Sequence, residues 1–223
     1  MKVRNLGVLV LFAVAMAYLE ATVVVYLREI FYPGRPDLFP LAPMPPHLYL
    51  VELGREAATL IMLATVAWAS ARQGWARFFR FMVLFGVWDL FYYLWLWILL
   101  RWPRSLLEWD VLFLIPIPWF GPVLTPALVA LLLVVAGWTY DHWLQEGKEP
   151  VLDRRVLGLA VGGVLLVLAS FMAVPFQVLV HQGPEAFQAF VPQRFPWELY
   201  TPGLLLMVLA SGLFARSFRQ EVR

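Results

Sequence analysis

The chain has 223 residues, of which 62% are hydrophobic and 14% are charged, and its formal net charge at pH 7 is +2. A water-soluble fold of this size cannot bury so much apolar side chain, because average soluble domains are about 45–50% apolar and about 25% charged. The composition therefore predicts an integral membrane protein whose surroundings are the lipid bilayer. The small net charge gives no reason to expect a nucleic-acid partner, and the absence of cysteine excludes disulfides, thiolate metal sites and iron–sulfur clusters.

Six apolar runs predict an all-α, polytopic protein in which residues 1–223 form a single membrane domain. A bilayer core of about 30 Å requires roughly 20 apolar residues per helical span. The predicted spans are residues 5–27, 48–70, 81–100, 121–140, 156–180 and 198–215. The runs lack the period-two alternation of strands, and open sheet edges are not tolerated against lipid, so we expect no strands.

The distribution of basic residues predicts the orientation, because cytoplasmic loops carry an excess of Lys and Arg. With the N-terminus inside, eleven basic residues fall on the cytoplasmic side and five on the outer side, with Arg55 inside a span. We therefore expect a multi-pass protein of the cell (inner) membrane with both termini in the cytoplasm. The arginines from Arg72 to Arg80 are expected to set this topology and to contact lipid phosphates.

The first apolar run also has features of a cleavable signal peptide. Residues 1–17 combine a basic start, an apolar stretch and the small-residue pattern Ala15-Met16-Ala17. Cleavage there would leave a half-length apolar stub, since the run continues to Leu27. We therefore interpret the run as a retained first span.

Ionisable residues inside the first three runs are the main candidates for a functional site. An ionisable side chain at mid-bilayer costs about 2.5–3.5 kcal/mol, so such residues tend to face the protein interior and to have partners. The candidate binding residues are Glu20 in the first run, Glu52, Arg55 and Glu56 in the second, and Asp89, Tyr92 and Tyr93 in the third. The alternative is a set of local ion pairs that hold helices together. We predict instead one shared polar pocket, reached from the outer side.

The charge of this set constrains what the pocket binds. Four carboxylates and one guanidinium sum to −3, which a low-dielectric site cannot hold uncompensated. Protonated carboxyl groups, a bound cation or a further arginine, of which Arg28 is the nearest, would each resolve the imbalance. All-oxygen ligands favour a hard divalent cation, held if at all by Glu20, Glu52, Glu56 and Asp89.

Other cofactors are not expected. The three histidines lie in the predicted connections, so a zinc, copper or haem site within the spans is not predicted. No P-loop or dinucleotide fingerprint is present, and we expect no nucleotide cofactor. The GxxxG spacing of Gly158 and Gly162 indicates helix packing.

A proline-rich segment before the fourth span is the second candidate region. Pro116, Pro118 and Pro122 prevent a regular helix, so residues 111–122 are predicted to form a re-entrant or interfacial segment. As a lid over the pocket, this segment would place Glu108 and Asp110 at its mouth. As an interfacial segment, it would be anchored by its tryptophans.

Three functions remain open from the sequence. The first is binding or transport of a small cation or a proton-coupled solute. The second is an intramembrane enzyme that acts on a lipid or isoprenoid, an apolar small molecule, through carboxylate acid–base or hard-metal chemistry. The third is a homo-oligomer or an accessory subunit of a larger membrane complex, in which the charges pair with partner helices.

Overall fold

The computed structural model describes residues 4–35 and 37–220, which form six helices and two short strand pairs. The helices are α1 (Arg4–Phe31), α2 (Pro46–Ser70), α3 (Gly74–Leu100), α4 (Leu124–Gln145), α5 (Arg154–Gln188) and α6 (Trp197–Ala215). All of them except α2 are long and apolar enough to cross a membrane. The prediction of a helical, multi-pass membrane protein is therefore confirmed at this level.

The helices extend beyond the apolar runs. The third begins at Gly74 instead of residue 81, and the first continues to Phe31. The fifth reaches Gln188, with its helical geometry interrupted at Gly183, where φ is 85°. Apolar runs mark only the part of a helix that needs lipid around it, whereas backbone hydrogen bonding continues through the polar residues at either end.

The segment before α4 contains a β-hairpin, and the expectation of a chain without strands is wrong here. Strand β1 (Trp109–Phe113) pairs antiparallel with β2 (Trp119–Pro122), with a register shift between Val111 and Phe113. Pro116 and Pro118 lie in the connecting loop, where a missing backbone donor costs no ladder bond. A second pair joins β3 (Lys148–Glu149) to β4 (Arg219–Gln220).

The connections between helices collect at two ends of the bundle. At one end, Gln73 Nε2 donates a hydrogen bond of 2.7 Å to Glu149 Oε1, close to the β3–β4 pair. At the other end, which we call the hairpin end, the Phe120 ring contacts Phe39 and Phe187, with centroid distances of 5.1 and 5.5 Å. Successive helices therefore alternate in direction between two opposite ends.

Two glycines allow α5 and α6 to approach closely. A Cβ atom at Gly163 would lie 2.7 Å from the carbonyl oxygen of Gly203, and a Cβ at Gly203 would lie 2.9 Å from the carbonyl oxygen of Gly163. By contrast, a Cβ at Gly158 or Gly162 would meet no atom within 4 Å. The packing contact is thus one residue away from the GxxxG spacing in the sequence, and the GxxxG prediction is corrected accordingly.

A buried ion pair joins α3 to α4. Arg80 Nε lies 3.0 Å from Asp141 Oδ1, and both residues are buried. Arg80 also donates to the carbonyl oxygen of Ser70, and Gln145 Nε2 donates to Asp141 Oδ2 at 2.6 Å. The expectation that Arg80 is a loop residue contacting lipid phosphate is wrong, because its guanidinium is used inside the protein.

Candidate functional site

A cavity of about 700 Å³ lies at the hairpin end. Its wall is built by α1, α2 and α3, the loop between α1 and α2, the β1 strand with the loop after it, and the end of α5. We call it the acidic cavity, after its ionisable and tyrosine residues. These include Glu20, Arg28, Glu52, Arg55, Glu56, Asp89, Tyr92, Tyr93 and Asp110.

Eight of the nine candidate residues from the sequence line this cavity, and Arg28 reaches it as well. The exception is Glu108, which is not part of the wall. Its Oε2 atom instead accepts a hydrogen bond of 2.6 Å from the backbone N–H of Arg104. These side chains converge because α1 and α2 both pack on α3, and the charged residues of the three helices lie at the same height along the bundle.

Two of the carboxylates share one guanidinium. Arg55 Nε lies 2.8 Å from Glu52 Oε2, one turn away on α2, and Arg55 also pairs with Glu20 on α1. The second oxygen of Glu20 accepts a hydrogen bond of 3.0 Å from the Thr59 hydroxyl. This network connects α1 to α2 and satisfies part of the acidic charge.

Two further carboxyl groups are held by the hairpin and by α3. Glu56 Oε2 accepts a hydrogen bond of 2.9 Å from the backbone N–H of Leu114, which lies just beyond β1. Asp110 Oδ2 accepts a hydrogen bond of 3.2 Å from the Tyr93 hydroxyl. The hairpin is therefore bonded to α2 and α3 and forms one side of the cavity.

Burial raises the pKa of Asp110 to about 6. The Arg28 guanidinium and the Tyr93 hydroxyl act in the opposite direction and lower this pKa, whereas the Glu108 carboxylate raises it. Asp110 lies in the hairpin, outside the helices, and its side chain is only 4% exposed overall. The Asp110 carboxyl group therefore keeps its proton to a higher pH than an exposed aspartate does.

Four buried polar atoms of this wall have no hydrogen-bond partner among the described residues. Arg55 Nη1 is nevertheless ion-paired with Glu20, which leaves Arg28 Nε, Trp88 Nε1 and Asp89 Oδ2. Native structures leave few buried polar groups unpaired, and each such group calls for an explanation such as a function or an absent ligand. Asp89 Oδ2 is the one carboxylate oxygen in this set, whereas the other atoms are N–H donors.

Most of the remaining wall is apolar. It includes Leu27 and Phe31 of α1, Leu50 of α2, and Leu179 and Phe187 of α5. Leu50 is 66% exposed although it also borders the cavity. The cavity thus has an acidic side and an apolar side, and the apolar side continues to the surface of the bundle.

The loop between α1 and α2 closes the cavity at the hairpin end. The Tyr32 hydroxyl accepts a hydrogen bond of 2.8 Å from the backbone N–H of Ala42, which bridges the two halves of the loop. Leu38, Leu41 and Met44 contribute apolar wall. The loop's prolines leave few backbone donors to satisfy in an apolar setting.

The acidic residues do not form a metal cluster. Across residues 4–35 and 37–220, no group of three or more His, Asp or Glu side chains is placed to hold a metal ion. The expected ligand set of Glu20, Glu52, Glu56 and Asp89 is divided instead between Arg55, the Leu114 N–H and a separate position on α3. The geometry gives a hard divalent cation no prepared site in this region.

Several wall residues were not identified from the sequence. Thr59, which is not part of the wall but donates to Glu20 beside it, follows Glu52 and Glu56 at helical spacing, so the i, i+4, i+7 pattern on one face of α2 would have found it. Trp88 adjoins Asp89 but carried no signal of its own. Leu179 and Phe187 belong to a distant helix, and nothing local to them indicates that they border this cavity.

Comparisons with known proteins place no relative beside this arrangement. No protein-family model matches the chain, and no match was found among curated proteins or among solved structures.

Proposed function

We propose that the protein binds a small organic cation in the acidic cavity and carries it across the membrane. The observation that supports this proposal is the composition of the cavity wall. Five carboxyl groups, from Glu20, Glu52, Glu56, Asp89 and Asp110, face only two guanidinium groups. A low-dielectric site holds such an excess of acidic groups only when protons or a cation compensate it.

The size and lining of the cavity support an organic cation over a metal ion. A volume of about 700 Å³ lies within the range of about 300–1,000 Å³ that small-molecule sites occupy. A dehydrated metal ion needs a tight ring of oxygens, which the described residues do not provide. An ammonium group beside an apolar body matches a cavity with one acidic and one apolar side.

Binding by the purified protein tests this proposal. Butylammonium added to the protein in a mild non-ionic detergent is expected to bind saturably, followed by tryptophan fluorescence, since Trp88 borders the cavity. Glu56→Gln is expected to weaken binding, and uptake of labelled butylammonium into proteoliposomes is expected to fall with it. Glu29→Gln is the matched control, because Glu29 is an exposed carboxyl group on α1 outside the cavity wall.

The proposal is wrong if wild-type protein shows no saturable binding of butylammonium or of tetramethylammonium. It is equally wrong if Glu56→Gln and Glu29→Gln bind these cations as wild-type protein does. Size-exclusion chromatography of each variant verifies that the fold is retained.

A second function, an enzyme that acts on a lipid or isoprenoid, is supported by one observation. Leu50 is both exposed and part of the cavity wall, so an apolar chain in the bilayer has a continuous apolar path to the carboxyl groups. A carboxylic acid could then act as a proton donor. Mass spectrometry of the protein's lipid extract after incubation with isoprenoid or phospholipid vesicles would show a new product if this function is correct.

The proposed topology has six spans, with both termini in the cytoplasm of a cell's inner membrane. Helix α2 has 25 residues and a length of about 37 Å, which is enough to span. Its Glu52, Arg55 and Glu56 lower its hydropathy, but Glu52 and Glu56 are buried and Arg55 is ion-paired. Cysteine accessibility labelling at Ala71 and Gly34 would place these residues on opposite sides of the membrane.

A further inference from the structure

The five carboxyl groups of the acidic cavity differ in their partners. Glu20 and Glu52 pair with the Arg55 guanidinium and are buried on the α1–α2 side. Asp89 and Asp110, on the α3 and hairpin side, have no Lys, Arg or His nitrogen within 4.0 Å in the described chain; Asp110 accepts hydrogen bonds from the Tyr93 hydroxyl and the Val111 backbone N–H. Glu56 also has no such nitrogen, but it accepts the Leu114 N–H. Three of the five carboxyl groups are therefore not ion-paired, and two of these three, Asp89 and Asp110, lie together on the α3 and hairpin side.

Aromatic rings border these two carboxyl groups. Trp88 and Tyr92 stack at a centroid distance of 6.4 Å, and Tyr92 and Tyr93 meet edge to face at 5.0 Å. Acidic groups beside aromatic faces are a known means of recognising ammonium ions, through charge and cation–π attraction. The arrangement therefore suits the ammonium group of a ligand.

An atom without a hydrogen-bond partner at this position indicates which class of ammonium ion the cavity binds. Asp89 Oδ2 is buried and has no donor among the described residues, and the neighbouring Trp88, which is 6% exposed, also leaves its indole N–H unpaired. A primary ammonium would supply N–H donors to the carboxylate, whereas a quaternary ammonium has none to give. The unmet acceptor therefore favours a protonated amine, which has at least one N–H, over a quaternary ammonium.

The apolar side of the cavity determines the rest of the ligand. Leu27, Phe31 and Leu50 line a path from the acidic groups to the exposed face of α2, where Leu50 is 66% exposed. An alkyl chain of a ligand bound by Asp89 would lie along this path and reach the lipid. Such a ligand can enter from the bilayer without crossing the loop between α1 and α2.

We infer that the cavity binds a long-chain alkylammonium with N–H donors, with its headgroup at Asp89 and Asp110 and its chain along the Leu50 side. This inference rests on the proposed function and specifies both the ligand class and the position of the charge. The Glu20–Arg55–Glu52 network, in contrast, connects α1 to α2 and holds the opposite wall.

The test compares variants that remove the same charge at different places. Decylammonium, decyltrimethylammonium and butylammonium are titrated into wild-type protein and the Asp89→Asn, Asp110→Asn and Glu52→Gln variants in the same detergent. Asp89→Asn and Asp110→Asn are each expected to weaken decylammonium binding about tenfold or more, the usual effect of losing a hydrogen bond to a charged group. Glu52→Gln is expected to weaken binding less than either, and wild-type protein is expected to prefer decylammonium to both other probes.

The outcomes separate the two proposals. If wild-type protein binds butylammonium but Glu52→Gln weakens decylammonium binding more than Asp89→Asn and Asp110→Asn do, the headgroup position is wrong and the proposed function stands. Equal affinity for decylammonium and decyltrimethylammonium would overturn the assignment to an ammonium with N–H donors. If wild-type protein binds none of the three probes, the proposed function itself fails. Should Asp89→Asn not fold, Asp110→Asn, which can still accept the Tyr93 hydrogen bond, decides the headgroup position.

Discussion

Replacement of Asp110 by asparagine should change how the stability of the protein depends on pH. Asp110 is buried in the hairpin, and its pKa rises from the ordinary 3.8 to about 6 in the folded protein. In the unfolded chain this carboxyl group ionises near its ordinary value. Between pH 4 and pH 6 the unfolded state therefore releases a proton that the folded state retains, and folding becomes less favourable as the pH rises.

The size of this effect follows from the shift. A difference of about two pKa units corresponds to about 3 kcal/mol, at about 1.36 kcal/mol per unit. The contribution is most favourable below pH 4, declines through the interval from pH 4 to pH 6, and is constant above it. Asparagine preserves the shape and the acceptor for the Tyr93 hydroxyl but has no charge, so Asp110→Asn should lack this decline.

The neighbouring groups must be considered because they also titrate or carry charge. Those that face Asp110 from the packed elements are Arg28 of α1, Asp89, Tyr92 and Tyr93 of α3, and Glu108 in its own segment. They are common to the variant and to wild-type protein. The difference between the two stability profiles therefore isolates Asp110 to first order.

The assay is unfolding by sodium dodecyl sulfate in mixed micelles, followed by tryptophan fluorescence at pH 4, 5, 6 and 7. Relative to wild-type protein, Asp110→Asn should gain about 2 kcal/mol in its free energy of unfolding between pH 4 and pH 7, because part of the full effect already lies below pH 4. Glu29→Gln, which changes an exposed carboxyl group on α1, should give a profile parallel to that of wild-type protein. A profile for Asp110→Asn that is parallel within about 1 kcal/mol would refute the reasoning.

Two further predictions concern packing. Gly163→Ala should lower the free energy of unfolding by about 1–3 kcal/mol, because its Cβ would meet the Gly203 carbonyl oxygen at 2.7 Å. Gly162→Ala, with open space around it, should have no cost, and equal stabilities of the two variants in the same unfolding assay would contradict this. Asp141→Ala should lower the free energy of unfolding by about 3–5 kcal/mol, because it leaves the Arg80 guanidinium buried without its carboxylate. Adding Arg80→Met to this variant should recover part of the loss. A double variant less stable than Asp141→Ala would argue that the loss does not come from the buried charge.

The acidic cavity shows how much of a site can be predicted from the depth and spacing of charged residues in apolar helices. Placing a charge in an apolar helix is costly, so Glu20, Glu56 and Asp89 were expected to face inward, and all three line one cavity. The same reasoning identified Arg28 as the nearest additional cation. The i,i+3 spacing of Glu52 and Arg55 also pointed to a pair within α2. It gave no information on the Arg55–Glu20 pair, because that contact depends on the rotations of α1 and α2, which no local pattern encodes.

The β-hairpin is the part of the fold that the sequence did not predict. Prolines excluded a helix in residues 111–122, but neither re-entrant nor interfacial geometry predicts that β1 pairs with β2 or that Leu114 donates to Glu56. These strands are stable next to apolar helices because each satisfies its backbone on the other and its remaining groups on side chains. These hydrogen bonds exist only in the folded chain.

The sequence by itself determined that this protein is a bundle of apolar helices with acidic groups turned inward, because lipid tolerates neither unpaired backbone nor isolated charge. Only the tertiary structure decided that Arg80 pairs with Asp141, that Gly163 instead of Gly162 contacts α6, and that Glu108 lies away from the cavity. These outcomes depend on helix rotation and close packing. When the contacting face of a helix shifts by one residue position, one partner replaces another. The apolar pattern of the sequence is almost the same in both cases.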